Sequence, residues 1–189
     1  MERIVCILIG YVFGLFQTSF FYGKMKGIDI REHGSGNAGT TNTIRVLGTK
    51  AGLLVLAGDI LKCILAILLC GALFDASHPQ EVYLLKLYAA AGAILGHNFP
   101  FYLHFKGGKG IAATAGLILA FHPYFIPAGV ILFFGAFLTT HYVSLGSLLV
   151  YAGLMIQMVV CGQMGLFHAP QAILNEMYIL TALLTALAY

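Results

Sequence analysis

At 189 residues, the chain is 60% hydrophobic and only 9% charged, with a formal net charge of +3 and a mean hydropathy of +0.91. Soluble domains carry about 25% charged residues, so this chain cannot clothe a water-facing surface. These values exclude soluble enzymes and soluble nucleic-acid binders and define an integral membrane protein; the helical spans, with no internal repeat or linker, predict one all-α bundle over residues 1–189.

The first apolar run, Ile4–Tyr22, is too long for the h-region of a signal peptide, lacks an A-x-A site, and is followed rather than preceded by lysines. It predicts a first transmembrane helix. The chain then enters a polar stretch, REHGSGNAGTTNTIR, from Arg31 to Arg45. Gly34, Gly36 and Gly39 allow turns with φ > 0 and close approach of a ligand. Amides in such turns form anion-binding concavities. Ser35, Asn37, Thr40, Thr41 and Asn42 add short hydrogen-bonding groups, and Arg45 can grip a phosphate with two parallel bonds.

A helix needs about 20 apolar residues to cross a bilayer, and Ala51–Phe74 and Val82–Asn98 supply the next two candidates. Within the former, Asp59 and Lys62 are three apart on one helical face. An intramembrane pair of this kind is either a functional site or a structural pair facing the bundle interior, and the structural reading is the simpler. The following stretch runs from Gly96 and His97 through Lys106-Gly107-Gly108-Lys109-Gly110 into Ile111-Ala112-Ala113-Thr114. A glycine-rich loop with point charges leading into a helix start follows the logic of a phosphate loop, although the Walker spacing is absent.

Residues 111–138 hold Pro123 and Pro127, which one straight helix would resist. They predict a hairpin of two short helices, 111–122 and 124–138, tolerated where protein surrounds the broken backbone. The hairpin carries Thr139–Ser147, with His141, Ser144 and Ser147, back to the face of the two basic loops, whereas one helix over 111–138 would leave six segments and put the 139–146 loop outside. No Lys or Arg beyond Lys109 decides between the two, and Ser144 is also a candidate helix cap. Leu145–Gly162 and Ala172–Tyr189 complete seven membrane segments, two of them short.

Charge sets the orientation. The 23–50 and 101–110 segments hold Lys24, Lys26, Arg31, Arg45, Lys50, Lys106 and Lys109, whereas 75–81 and 163–171 hold no Lys or Arg. The basic loops are therefore expected in the cytoplasm and the N-terminus outside. Cys6, Cys63, Cys70 and Cys161 share no redox or metal spacing and read as small buried hydrophobes. No H-x-x-x-H pair or His/Cys/carboxylate cluster is present in the sequence, so no metal or other cofactor is expected.

Two cationic glycine loops beside short membrane helices suit a phosphorylated, water-soluble ligand and a lipid or acyl chain as its co-reactant. GSGNAGTTNTIRVLG and GHNFPFYLHFKGGKGIAAT resemble the first and second motifs of the bacterial acyl-phosphate-dependent glycerol-3-phosphate acyltransferases, the PlsY family. AGDILKCILA resembles that family's second-helix pattern, and S-L-G-S resembles its later serine-bearing loop. The family also carries, after its last helix, a basic stretch with His and Asn three residues apart. The 189 residues end at Leu187-Ala188-Tyr189, leaving that third motif without a counterpart.

The resemblance implies acyl transfer from acyl phosphate to the 1-hydroxyl of glycerol 3-phosphate, giving lysophosphatidic acid at the start of phospholipid synthesis. It implies a multi-pass protein of the bacterial inner membrane, with its active site facing the cytoplasm. The expected partners are glycerol 3-phosphate, acyl phosphate, membrane lipid and the enzyme that makes acyl phosphate, with no nucleic acid. Acyl phosphate is already activated, and no G-x-S-x-G elbow or Cys–His set is present, so direct attack without an acyl-enzyme is expected. Ser35, Arg45, Lys106 and His97 are the expected catalytic residues. Gly34, Gly36, Asn37, Thr41, Asn42, Gly107, Gly108, Lys109, His141, Ser144 and Ser147 are expected to bind substrate. His97 and His141 are the candidate bases by chemistry; a substrate phosphate oxygen is the alternative proton acceptor. Among other classes, a transporter of a phosphorylated solute predicts an internal repeat and midplane polar groups, and the sequence shows neither beyond Asp59 and Lys62. A CDP-alcohol phosphotransferase needs clustered aspartates, whereas Asp29, Asp59 and Asp75 are far apart in sequence.

Overall fold

In the computed structural model, which describes residues 1–188, the chain folds into α1 (Glu2–Gly14), α2 (Thr18–Met25), α3 (Thr40–Leu47), α4 (Thr49–Phe74), α5 (Val82–Asn98), α6 (Ile111–Phe121), α7 (Phe125–Thr140), α8 (Val143–Gln163) and α9 (Gln171–Ala188). No strand occurs among the described residues. Glu2–Met25, Thr49–Phe74 and Val143–Gln163 are long and apolar enough to cross a membrane; α6, α7 and α9 are shorter apolar helices.

The centre is the contact of α1 with α5, and glycine makes it possible. Gly10 and Gly14 face Gly92 and Gly96: a Cβ on Gly10 would strike the Ala89 carbonyl, and one on Gly96 the Tyr11 carbonyl. Two small-x-x-x-small stripes thus bring the backbones together, the device that membrane helices use where water cannot drive association. Residue 10 lies beside 89–93 and residue 14 beside 93–96, so the helices run parallel. α4 runs antiparallel to α5, with Gly71 beside Lys86 and Asp59 beside His97. Leucines 53, 54, 61, 65 and 68 on the outer side of α4 are exposed, as a lipid-facing surface requires.

The expected helix over Ile4–Tyr22 is interrupted. Leu15–Gln17 separate α1 from α2, and Gln17 leaves helical geometry at φ −84° and ψ 89°. Two carbonyls freed by the break find donors: Tyr102 Oη donates to Leu15 O at 2.6 Å and Lys62 Nζ to Phe16 O at 2.9 Å. Irregular backbone of this kind survives at membrane depth only with such partners. The hairpin over 111–138 is present, turning at His122–Tyr124 with Pro123 in the turn. Pro127 sits in the first turn of α7, where its missing N–H has no intrahelical role. α8 then packs antiparallel on α7, with Gln157 bonded to Tyr124 O and Gly146 beside Phe133.

These directions gather the 23–50 segment, the 99–110 loop and the α7–α8 junction at one end of the bundle. The other end holds a polar cluster: Arg3 meets Glu176 at 2.7 Å and Glu81 at 3.2 Å, and Tyr88 Oη donates to Glu176 at 2.8 Å.

Candidate active site

The polar loop is built around two side chains. Asp29 starts a 3-10 turn, Ile30–Glu32, by accepting from the Arg31 amide, and its carboxylate pairs with the Arg31 guanidinium through bonds of 3.0 and 2.8 Å. That guanidinium holds the Asp29 carboxyl down at about 2. Asn42, buried on α3, accepts from the Ser35 amide at 2.8 Å and donates to the carbonyls of His33 at 2.9 Å and Ile30 at 3.1 Å. Asn42 was expected to bind substrate; instead its amide staples the loop. Gly34 and Gly36 adopt φ of +63° and +73°, as expected of turn glycines, but Gly39 is extended at −155°.

The second loop folds back on the end of α5. The Gly107 amide donates to Asn98 O at 3.1 Å and the Gly108 amide to His97 O at 3.0 Å. A Cβ on Gly107 would strike His97 O, and one on Gly108 would strike the His97 ring. These glycines are therefore required for packing, and their amides, expected to hold phosphate, are already engaged. The Gly36 amide is likewise bonded, to His33 O at 3.1 Å. The open donors lie elsewhere. α3 and α6 begin at Gly39 and Gly110, which have no side chain to cap them, so their first-turn amides stay free.

The two loops meet. Arg31 Nη1 donates to Leu103 O at 3.2 Å, and a Cβ on Gly108 would lie 2.8 Å from Ala38 O. At this end Arg45, Lys106 and Lys109 are exposed and form no ion pair among the described residues, in contrast to Arg31. Ser35 and Thr41 are exposed and Asn37 half-buried beside them. The 139–147 segment contributes less than expected. His141 caps α7 with φ +59°, Ser147 Oγ donates back to Val143 O at 2.7 Å, and Ser144 lies in the first turn of α8 without a capping bond.

His97 is not an open base. It is 2% exposed, and Nδ1 lies 2.7 Å from Lys62 Nζ, which also meets Asp59 at 2.9 Å. Thr18 donates to Asp59 at 3.0 Å, and Gln17 Nε2 to His97 O at 2.6 Å. The sequence reading left out Gln17, Thr18 and Tyr102. A Gln-Thr-Ser triplet inside an apolar span was the available signal.

The chain is a helical membrane protein with two cationic glycine loops joined at one end. The family model for glycerol-3-phosphate acyltransferase matches residues 4–189, and the chain belongs to that family. It is 44% identical over 144 residues to a glycerol-3-phosphate acyltransferase of Bacillus velezensis, covering 76% of this chain and 71% of that one. A glycerol-3-phosphate acyltransferase 2 of Moorella thermoacetica is 40% identical over 150 residues, covering 79% and 74%. The crystal structure of PlsY, an integral membrane glycerol 3-phosphate acyltransferase, in its glycerol 3-phosphate form, superposes with a TM-score of 0.83 at 28% identity, covering all of this chain and 86% of that one. Its lysophosphatidic acid form gives 0.79.

Proposed function

We propose that the protein transfers an acyl group from acyl phosphate to the 1-hydroxyl of glycerol 3-phosphate, at the junction of the two glycine loops. The observation that carries this reading is that junction. Lys106 and Lys109 lie in the loop that leads to the uncapped start of α6, and Arg45, in the last turn of α3, shares this end of the bundle; none of the three forms an ion pair among the described residues. Ser35, Asn37, Thr41 and the Gly34 amide complete the phosphate shell.

The hydroxyl oxygen attacks the acyl carbonyl, a new ester C–O bond forms, and the bond from the carbonyl carbon to the phosphate oxygen breaks. Inorganic phosphate leaves. Lys62 occupies His97 Nδ1, so a substrate phosphate oxygen takes the hydroxyl proton. Catalysis rests on holding the two reactants together and on stabilising charge at the departing phosphate. Seven segments, counting α1 and α2 as one, would put the N-terminus outside and the site in the cytoplasm, by the charge bias of the loops.

Purified protein given palmitoyl phosphate and glycerol 3-phosphate should release phosphate and lysophosphatidic acid without added divalent metal. Transfer from palmitoyl-CoA but not from palmitoyl phosphate would overturn the donor assignment. Arg45→Ala and Ser35→Ala should each lower transfer, the arginine by ~10–150-fold, as loss of a charged hydrogen bond predicts.

A further inference from the structure

His97 is nearly buried, its carbonyl accepts from the Gly108 amide of the second loop, and its two nitrogens meet different surroundings. Lys62 Nζ has three N–H bonds and three acceptors within reach: Phe16 O at 2.9 Å, Asp59 Oδ1 at 2.9 Å and His97 Nδ1 at 2.7 Å. The ammonium therefore donates to Nδ1, which must carry a lone pair. A proton on Nδ1 aimed at Asp59 is excluded by geometry, since that distance is 3.7 Å and Lys62 stands closer. The ring proton is left on Nε2. That nitrogen has no hydrogen-bond partner among the described residues. It faces Gly108, where any side chain would collide with it, at the point where Gly108 approaches Ala38 O.

We infer that Lys62, held by Asp59, is a positioning residue that fixes His97 as the Nε2–H tautomer and aims one N–H donor at the junction of the two loops, where it meets a phosphate or carbonyl oxygen of bound substrate. Gly108 is glycine so that this N–H is uncovered. The second half of the statement rests on the acyltransferase reading; the tautomer does not.

Wild-type protein labelled with 15N-histidine, in nanodiscs at pH 7, tests the tautomer, with His97→Gln identifying the signal among seven histidines. A neutral ring protonated at Nε2 with a hydrogen-bonded Nδ1 is expected; an Nδ1–H ring or an imidazolium overturns the inference. Adding inorganic phosphate or glycerol 3-phosphate should shift the Nε2 resonance of wild type. In Lys62→Met the ring should lose its single tautomer, and kcat should fall at least tenfold more than glycerol 3-phosphate KM rises. His97→Phe with kcat within twofold of wild type would overturn the substrate contact. Wild type that transfers no acyl group while showing the Nε2–H ring would sink the acyltransferase reading and leave the tautomer standing.

Discussion

Asp29 illustrates how a loop of small residues acquires one shape. Its carboxyl sits at about 2 against an ordinary 3.8, because Arg31 and the Arg31 amide bond the charged form. A depressed carboxyl stabilises the fold fully above about pH 4 and loses that contribution as pH falls toward 2. The difference corresponds to about 1–2 kcal/mol, once solvent screening of the quarter-exposed Arg31 is allowed for. Asp29→Asn should therefore lower thermal stability at pH 7 and converge on wild type as pH approaches 2, read by thermal scans across pH. Asn42 predicts a second effect. Asn42→Ala leaves the Ser35 amide and two carbonyls without their side-chain partner, so it should cost about 1–3 kcal/mol. Amide exchange at Ser35 in the nanodisc-bound protein should rise accordingly.

Among the helices, the contact of α1 with α5 makes the sharpest demand on residue size. Gly92 faces the Ile7 carbonyl and Gly10 the backbone of Ala89, whereas nothing lies within 4 Å of a Cβ on Gly135, whose φ is not positive. Gly92→Val should cost about 1–3 kcal/mol or more, because the backbones must separate. Gly135→Ala should be neutral or stabilise α7 by about 0.5–1 kcal/mol. Thermal unfolding in detergent distinguishes the two. Helix ends were legible where apolar runs stop at charges or prolines: α5 matches its expected 82–98 span, and Pro123 marks the turn between α6 and α7. The break at Leu15–Gln17 was not, since no proline marks it and the groups that satisfy its carbonyls, Lys62 and Tyr102, are distant in sequence. The junction of the glycine loops was foreseeable from charge and glycine content. Which amides are open was not, because the bonds of Gly107 and Gly108 to His97 and Asn98 depend on how the loop folds over α5.

The whole bundle separates its polar groups by end, and that separation carries the orientation argument. Arg3 lies outside the expected basic face, but Glu81 and Glu176 neutralise it. The opposite end keeps Arg45, Lys106 and Lys109 without ion pairs among the described residues. The positive-inside bias is expected to hold such a face on the cytoplasmic side, and under the proposed function a substrate carrying phosphate would approach the same face. Because α6 and α7 form a hairpin, the α7–α8 junction should share that side, while the loop over 75–81 should not. Ser144 and Ser77 are both exposed and test this as a pair. Cys6, Cys63 and Cys70 are buried and Cys161 half-buried, so a Cys161→Ser background gives a low baseline. In sealed right-side-out vesicles, Ser77→Cys should react with a membrane-impermeant maleimide and Ser144→Cys should not, with the pattern reversed in inverted vesicles. Labelling of both from one side would place the α7–α8 junction opposite the glycine loops and remove it from the active-site face.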